Sequence, residues 1–279
     1  MREIKRDLLL SILKKKLIET NIFLNKNIKS HINSALKSEE SEIGCEILTS
    51  ILDNATVAKM TKKPLCQDTG SVVIFMEIGR DAHLDFDIYD AINEAVRHAY
   101  HEGYLRKSIV AHPIDRINTT DNTPAIIHTK ITYGDKVKLK VAAKGGGAEN
   151  MSRVKMMKPS DGYQGVVDFA LETVMKAKGN ACPPIILGIG IGGNFESAPL
   201  IAKQALLRDL DDHAVHVIDF KLEEEIFKKV NELGIGPMGL GGTTTCLAVK
   251  VNSLPCHIAS LPVAVNIQCH SAREFEVII

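Results

Sequence analysis

Apolar residues recur at helical spacing through the first sixty or so positions. Ile43, Ile47, Leu48, Ile51 and Leu52 share one face, and Pro64 closes this helical region. Met1 to Asn21 mixes Arg, Lys, Asp and Glu among its leucines, which predicts an amphipathic helix and not a leader with an unbroken apolar centre. The apolar run from Val72 to Ile78 predicts a buried strand, and Ile88, Ile92, Val96 and Ala99 mark a further helix. Between Ala125 and Ala143, Val137, Leu139 and Val141 alternate with Lys136, Lys138 and Lys140. With Gly134-Asp135 as the turn, this predicts a β-hairpin. A glycine-rich loop follows, then a helix over about 165–178, an apolar strand from Ile185 and a helix over 196–207. Leu222, Ile226, Phe227, Val230 and Leu233 give another helical stripe, and short extended runs at 247–251 and 263–267 end the chain. Helices and strands alternate without repeat or linker. The expectation is an α/β mixed fold: one domain over 1–279, whose residues 1–62 form a mainly helical lobe.

Composition narrows the function classes. The 279 residues are 45% hydrophobic, enough for a sizeable core. Lys plus Arg and Asp plus Glu number 34 each, so no basic field exists for nucleic acid. The longest apolar stretches, around Ile185 and Leu261, are broken by Pro and Gly before reaching membrane-spanning length. The expected setting is the cytoplasm. There the six cysteines, which include no C-x-x-C pair, would stay as thiols.

Three of those cysteines keep unusual company: Cys66 in P-L-C-Q-D-T-G, Cys182 in G-N-A-C-P-P and Cys246 in G-L-G-G-T-T-T-C-L. Each falls where a loop or helix meets an apolar strand, amid residues that expose backbone N–H groups. Three thiolates suit a [4Fe–4S] cluster with one iron left open, or a catalytic zinc; a buried structural role is the plain alternative. Cys45, Cys256 and Cys269 read as small buried hydrophobes. Gln67 and Asp68 follow Cys66 directly, placing a carboxamide and a candidate general base beside a candidate ligand. Alternatively, Asp-Thr-Gly is a turn or cap. K-G-G-G-A-E-N (144–150) lets the backbone approach an anion closely, or is simply a flexible turn. Arg106 is a candidate carboxylate clamp or a surface charge, and His112 and His128 read as structural.

G-I-G-I-G-G (188–193) fits a dinucleotide fingerprint through Gly188, Gly190 and Gly193, and an extended H-A-V-H-V-I-D run ends downstream at Asp219. This makes an NAD-linked oxidoreductase the rival from another class. The spacing to the acid is long, and no further βαβ unit follows. The favoured reading is that these glycines let a strand pass close to another backbone.

Taken together, P-L-C-Q-D-T-G, K-G-G-G-A-E-N-M-S, M-K-P-S-D-G, N-A-C-P-P-I-I-L-G-I-G-I-G-G, L-G-I-G-P-M-G-L-G-G-T-T-T-C-L and L-P-V-A-V-N-I-Q-C-H resemble, in order, the α subunit or N-terminal domain of class I fumarate hydratases. The resemblance runs from about Leu48 to Ala272. It implies a hydro-lyase whose [4Fe–4S] cluster is held by Cys66, Cys182 and Cys246. It further implies that Gln67, Asp68 and Arg106 face a small dicarboxylate, with backbone from Gly145, Gly146 and Gly147, and that Asp68 takes part in proton transfer. The α subunit of L-tartrate dehydratase is similar throughout, but the glycine loop here takes the fumarase form. The family also needs a second region, so a separate β subunit is expected, in an α2β2 assembly or with an α homodimer when isolated, and the chain alone is expected to be inactive.

Overall fold

A computed structural model describes residues 2–279. In chain order the helices are α1 (Arg6–Ile22), α2 (Lys26–Ser38), α3 (Glu42–Thr61), α4 (Ile88–Glu102), α5 (Gly146–Glu149), α6 (Gly162–Ala177), α7 (Ser197–Ala205) and α8 (Val217–Asn231). The strands are β1 (Arg2–Glu3), β2 (Ser71–Gly79), β3 (Ala82–His83), β4 (Ile126–Thr132), β5 (Val137–Lys144), β6 (Arg153–Met157), β7 (Ile185–Gly193), β8 (Cys246–Cys256), β9 (Leu261–Gln268) and β10 (Glu274–Ile278). The fold is α/β mixed, as expected. Met1, which opens the predicted N-terminal helix, lies outside the described residues. Among the described residues no helix is long and apolar enough to cross a membrane.

The chain divides into two compact units: Met1–Asn25, Ala55–Gly146 and Ala272–Ile279 make the first, Lys26–Asn54 and Gly147–Ser271 the second. After β1, residues 6–61 are mainly helical, but α1 belongs to the first unit and α2 to the second.

The first unit is built on a four-stranded sheet in the order β10-β5-β2-β4. Helices α1 and α4 bury their apolar stripes on it: Leu9, Leu13 and Leu17 from one, Ile92, Val96 and Ala99 from the other, against Ile74, Met76 and Leu139. Each such side chain stabilises the fold by roughly 1.5–3 kcal/mol relative to exposure. Asp87 caps α4, its carboxylate accepting the N–H groups of Tyr89 at 2.8 Å and Asp90 at 3.1 Å. The predicted hairpin over 125–143 does not form. Strand β2 inserts between β4 and β5, parallel to the first and antiparallel to the second. Alternation reports which face a residue occupies, not which strand pairs with it. The more continuously buried run of β2 takes a central place, and the mostly exposed or half-buried β4 takes the edge. The connection between β4 and β5 crosses the end of β2 so closely that a Cβ on Gly79 would stand 2.4 Å from the Gly134 carbonyl oxygen.

The second unit carries another four-stranded sheet, in the order β6-β9-β7-β8, with β7 parallel to β8 and antiparallel to β9. Val166, Phe169, Leu222, Ile226 and Val230 from α6 and α8 close its core over Leu187, Val249 and Val265. The H-A-V-H-V-I-D run is not extended. It enters α8, with His216 Nδ1 accepting the N–H of Ile218 at 3.3 Å. Side chains hold the segment in place of a ladder: Arg208 pairs with Asp212 at 2.8 Å and Glu223 at 2.9 Å, and Ala214 N donates to Glu223 at 2.9 Å.

Candidate active site

In the first unit the P-L-C-Q-D-T-G segment leads into β2 as a loop held at almost every residue. Thr69 and Gly70 point their carbonyl oxygens at the buried Tyr100 hydroxyl, which donates at 2.9 Å to both. Burial pushes the Tyr100 hydroxyl well above the usual phenol range. Asn122 Nδ2 also donates to Gly70 O at 3.2 Å, and Thr69 Oγ1 donates to Arg106 O at 3.1 Å. The half-buried Asp68 uses both carboxylate oxygens, accepting the N–H of Gly70 at 3.0 Å and that of Gly146 at 2.7 Å. The structure therefore brings Asp68 and the glycine run together, as the expected site requires. Gly146 opens the short helix α5, so the run is helical at its end instead of a flexible turn.

Arg273 was missed by sequence reasoning. It is 2% exposed and donates through Nη1 to Asp68 O at 2.6 Å and through Nε to Ala143 O at 3.2 Å. A Cβ on Gly145 would stand 3.2 Å from Arg273 Nη2 and 3.3 Å from Asp68 Oδ2, which explains a glycine there without any positive φ. Arg106 is exposed, and its backbone carbonyl is what meets the Asp68 loop. Gln67 is exposed as well, its Oε1 accepting from Cys66 Sγ at 3.5 Å.

In the second unit Cys182 and Cys246 stand at the start of neighbouring parallel strands, three residues before Ile185 and directly opposite it in register. Cys182 adopts a left-handed backbone, φ 54° and ψ 64°, a conformation that costs a non-glycine residue energy and concentrates at functional sites. Its carbonyl oxygen meets His270 Nδ1 at 2.9 Å. The Cys246 thiol is buried and donates to Ala248 O at 3.1 Å. Burial pushes this thiol up to about 12, against the opposing effect of backbone hydrogen bonds. The other cysteines divide: Cys45 and Cys269 are half-buried, whereas Cys256, expected inside, is exposed because the last residues of β8 run out of the core.

The backbone leading to Cys246 is held by two side chains that sequence reasoning also missed. Thr243 N and Thr244 N each donate at 2.8 Å to the two oxygens of Glu39. Thr245 N and Cys246 N donate to Asn231 Oδ1 at 2.8 and 2.9 Å. Burial alone would raise the Glu39 carboxyl, but the N–H groups of Thr243, Ser41 and Thr244 outweigh it and hold it down to about 2. The N–H groups expected to be open near this cysteine are thus already engaged.

Among the described residues no three His, Cys, Asp or Glu side chains stand together as a ready metal group. The donor chemistry of Cys66, Cys182 and Cys246 nevertheless fits an iron–sulfur cluster, which takes soft thiolates. All three thiols would lose their protons on binding it; for Cys66 that gives up the bond to Gln67 Oε1, and for the buried Cys246 the bond to Ala248 O. The glycines of the dinucleotide-like run have another occupation. A Cβ on Gly188 would stand 2.2 Å from Ala202 O and one on Gly190 2.1 Å from Ala198 O, so both exist to let α7 lie against β7.

Residues 11–278 match the family described as fumarate hydratase, Fumerase. The chain belongs to that family. It is therefore a member of a hydro-lyase family, in which water is added to or removed from a carbon–carbon bond. Among its relatives, the putative L(+)-tartrate dehydratase subunit alpha of Methanocaldococcus jannaschii is 41% identical over 262 residues, 91% of this chain and 92% of that one. The L(+)-tartrate dehydratase subunits alpha of Escherichia coli (strain K12) and Shigella sonnei are each 32% identical over 240 residues, 85% of this chain and 79% of theirs.

Proposed function

We propose that this chain is the α subunit of a cytoplasmic two-subunit hydro-lyase that interconverts (S)-malate with fumarate and water, using a [4Fe–4S] cluster held by Cys66, Cys182 and Cys246. The observation that carries the reading is the seating of Asp68: a carboxylate two residues from Cys66, oriented by Gly146 N–H and backed by buried Arg273. When bound, such a cluster supplies a Lewis-acidic iron for the substrate hydroxyl.

The chain's own groups do the rest. Asp68 takes the proton from C3 as the C2–O bond breaks and the hydroxyl departs as hydroxide. That hydroxide takes up a proton to become water, and Asp68 gives its own proton up to reset the base, so fumarate and water are the net products and the steps reverse in the hydration direction. Fixing its carboxylate by two backbone N–H groups means that little reorganisation accompanies the transfer. The exposed carboxamide of Gln67 and the guanidinium of Arg106 bind the two substrate carboxylates, with backbone N–H from Gly147 assisting. The relatives' names speak of an alpha subunit, which supports a separate β chain; in this reading the two chains assemble as α2β2 and the β chain completes the site.

Those names also favour a second reading with the same chemistry on L-tartrate, where loss of water gives an enol of a 2-oxo dicarboxylate. The test is anaerobic reconstitution with iron and sulfide of the chain coexpressed with its β partner, followed by parallel assays on (S)-malate and L(+)-tartrate. A brown cluster that Cys182→Ala cannot build, with turnover of malate above tartrate, supports the first reading. The reverse ranking supports the second, and a wild type that builds no cluster overturns both.

A further inference from the structure

The most heavily fastened stretch of backbone in the second unit is the one that ends at Cys246. Gly236, Gly239, Gly241 and Gly242 all have positive φ, from 68° to 128°, and the approach has no regular structure beyond one 3-10 turn at Pro237–Gly239. Its four successive N–H groups, those of residues 243–246, are nevertheless satisfied by only two side chains, Glu39 from more than 200 residues away and Asn231 from the end of α8. Asn231 grips the Cys246 residue twice, since its Nδ2 also donates to Cys246 O at 3.2 Å. Glu39 is walled in: a Cβ on Gly44 would stand 2.9 Å from its Cδ, and one on Gly242 2.6 Å from its Oε1. Its carboxylate further accepts the N–H groups of Glu40 and Ser41, each at 3.0 Å. Four backbone N–H groups, those of Glu40, Ser41, Thr243 and Thr244, donate to that carboxylate, so an amide NH2 in its place would set a donor against at least one of them.

We infer that Glu39 and Asn231 are positioning residues, which act through the 243–246 backbone to hold the Cys246 thiol where a cluster takes it. The inference rests on the cluster reading above. Cys246 is the first residue of β8, so any movement of its peptide carries its thiol along. The peptide before it is locked from the far side as well: Thr245 O accepts from Ile185 N at 2.9 Å and Thr245 Oγ1 from Gly236 N at 3.1 Å. Groups that orient metal ligands from behind set both the affinity for the metal and the rate of its loss. A pocket of ≈ 400 Å³, lined by His31, Ser38, Asn231, Thr244 and Cys246 among others, gives small reagents a route to this region.

The test compares wild type, Asn231→Leu, Asn231→Asp, Glu39→Gln and the core control Ile226→Ala as full chains. Each is loaded anaerobically with ferrous iron and sulfide, and cluster loss to EDTA is followed by visible absorption. The cluster-free chains are alkylated with iodoacetamide and Cys246 labelling is timed by mass spectrometry, with melting temperatures recorded alongside. Asn231→Leu and Glu39→Gln lose the cluster about 10–100-fold faster than wild type and label faster at Cys246. Asn231→Asp, which keeps the Oδ1 acceptor, recovers part of both, and Ile226→Ala melts lower with wild-type rates. Wild-type rates in all the clamp variants, or equal acceleration in Ile226→Ala, would overturn the inference. A wild type that loads no cluster sinks the proposed activity, and the labelling rates alone then decide whether these two residues fix the thiol.

Discussion

Asp68 accepts the backbone N–H of Gly146 at 2.7 Å, which ties the candidate base to Gly146 within the first unit. The other carboxylate oxygen is held by Gly70 N at 3.0 Å. Asp68→Asn turns one of these acceptors into a donor facing an N–H group and removes the base. Turnover in the reconstituted two-subunit enzyme is expected to fall by about 10²–10⁴. Steady-state rates from the ultraviolet absorbance of fumarate check this; an Asn variant within a few-fold of wild type would remove Asp68 from the mechanism.

Arg273 ties the same loop from beneath. Arg273→Met strands the buried carbonyl oxygen of Ala143, at roughly 1–3 kcal/mol, and releases the part-buried one of Asp68. Urea unfolding should show a lower midpoint, together with a drop in kcat because the Asp68 loop loses its anchor. Loss of stability with unchanged kcat would confine Arg273 to the fold.

Gly190→Ala pushes a Cβ to 2.1 Å from Ala198 O and 2.7 Å from Ala202 N. Backbone must move, and a destabilisation of about 3 kcal/mol is expected. The parallel calorimetric titration of wild type with NADH should give no saturable heat. Tight NADH binding that Gly190→Ala abolishes would instead restore the dinucleotide reading.

The Glu39 carboxyl, held down to about 2 in the folded chain against an ordinary 4.5, makes stability depend on acid. The unfolded chain takes up this proton more readily, so the contribution is complete above about pH 4.5 and fades as pH falls towards 2. Glu39→Gln should lower the melting temperature at neutral pH and flatten its decline through that window. An unchanged slope would mean that other carboxyls govern acid unfolding.

Much of the secondary structure was legible because helical and alternating periods report burial, and burial is what packs α4, α6 and α8. Pairing was not. Nothing local in Val137, Leu139 and Val141 says that β2 will come between β5 and β4. The H-A-V-H-V-I-D run misled for a related reason: its alternation has no ladder to support it, and ion pairs of Arg208 decide its path. Asp68 was visible from its neighbours, and the structure joins it to Gly146. Arg273, Glu39 and Asn231 were invisible, because each acts on backbone 130 or more residues away or on a different element. An arginine, a glutamate and an asparagine carry no local mark of such a task.

The first unit consists of three stretches of chain, the last of them Ala272–Ile279, which supplies β10 alongside β5. On the ribosome, the leading helix and the β2–β5 strands therefore emerge long before the strand that completes their sheet. Until β10 has emerged, the outer side of β5 is an open edge exposed to other nascent chains. Truncations that remove residues 272–279 should thus produce aggregation rather than a shortened enzyme.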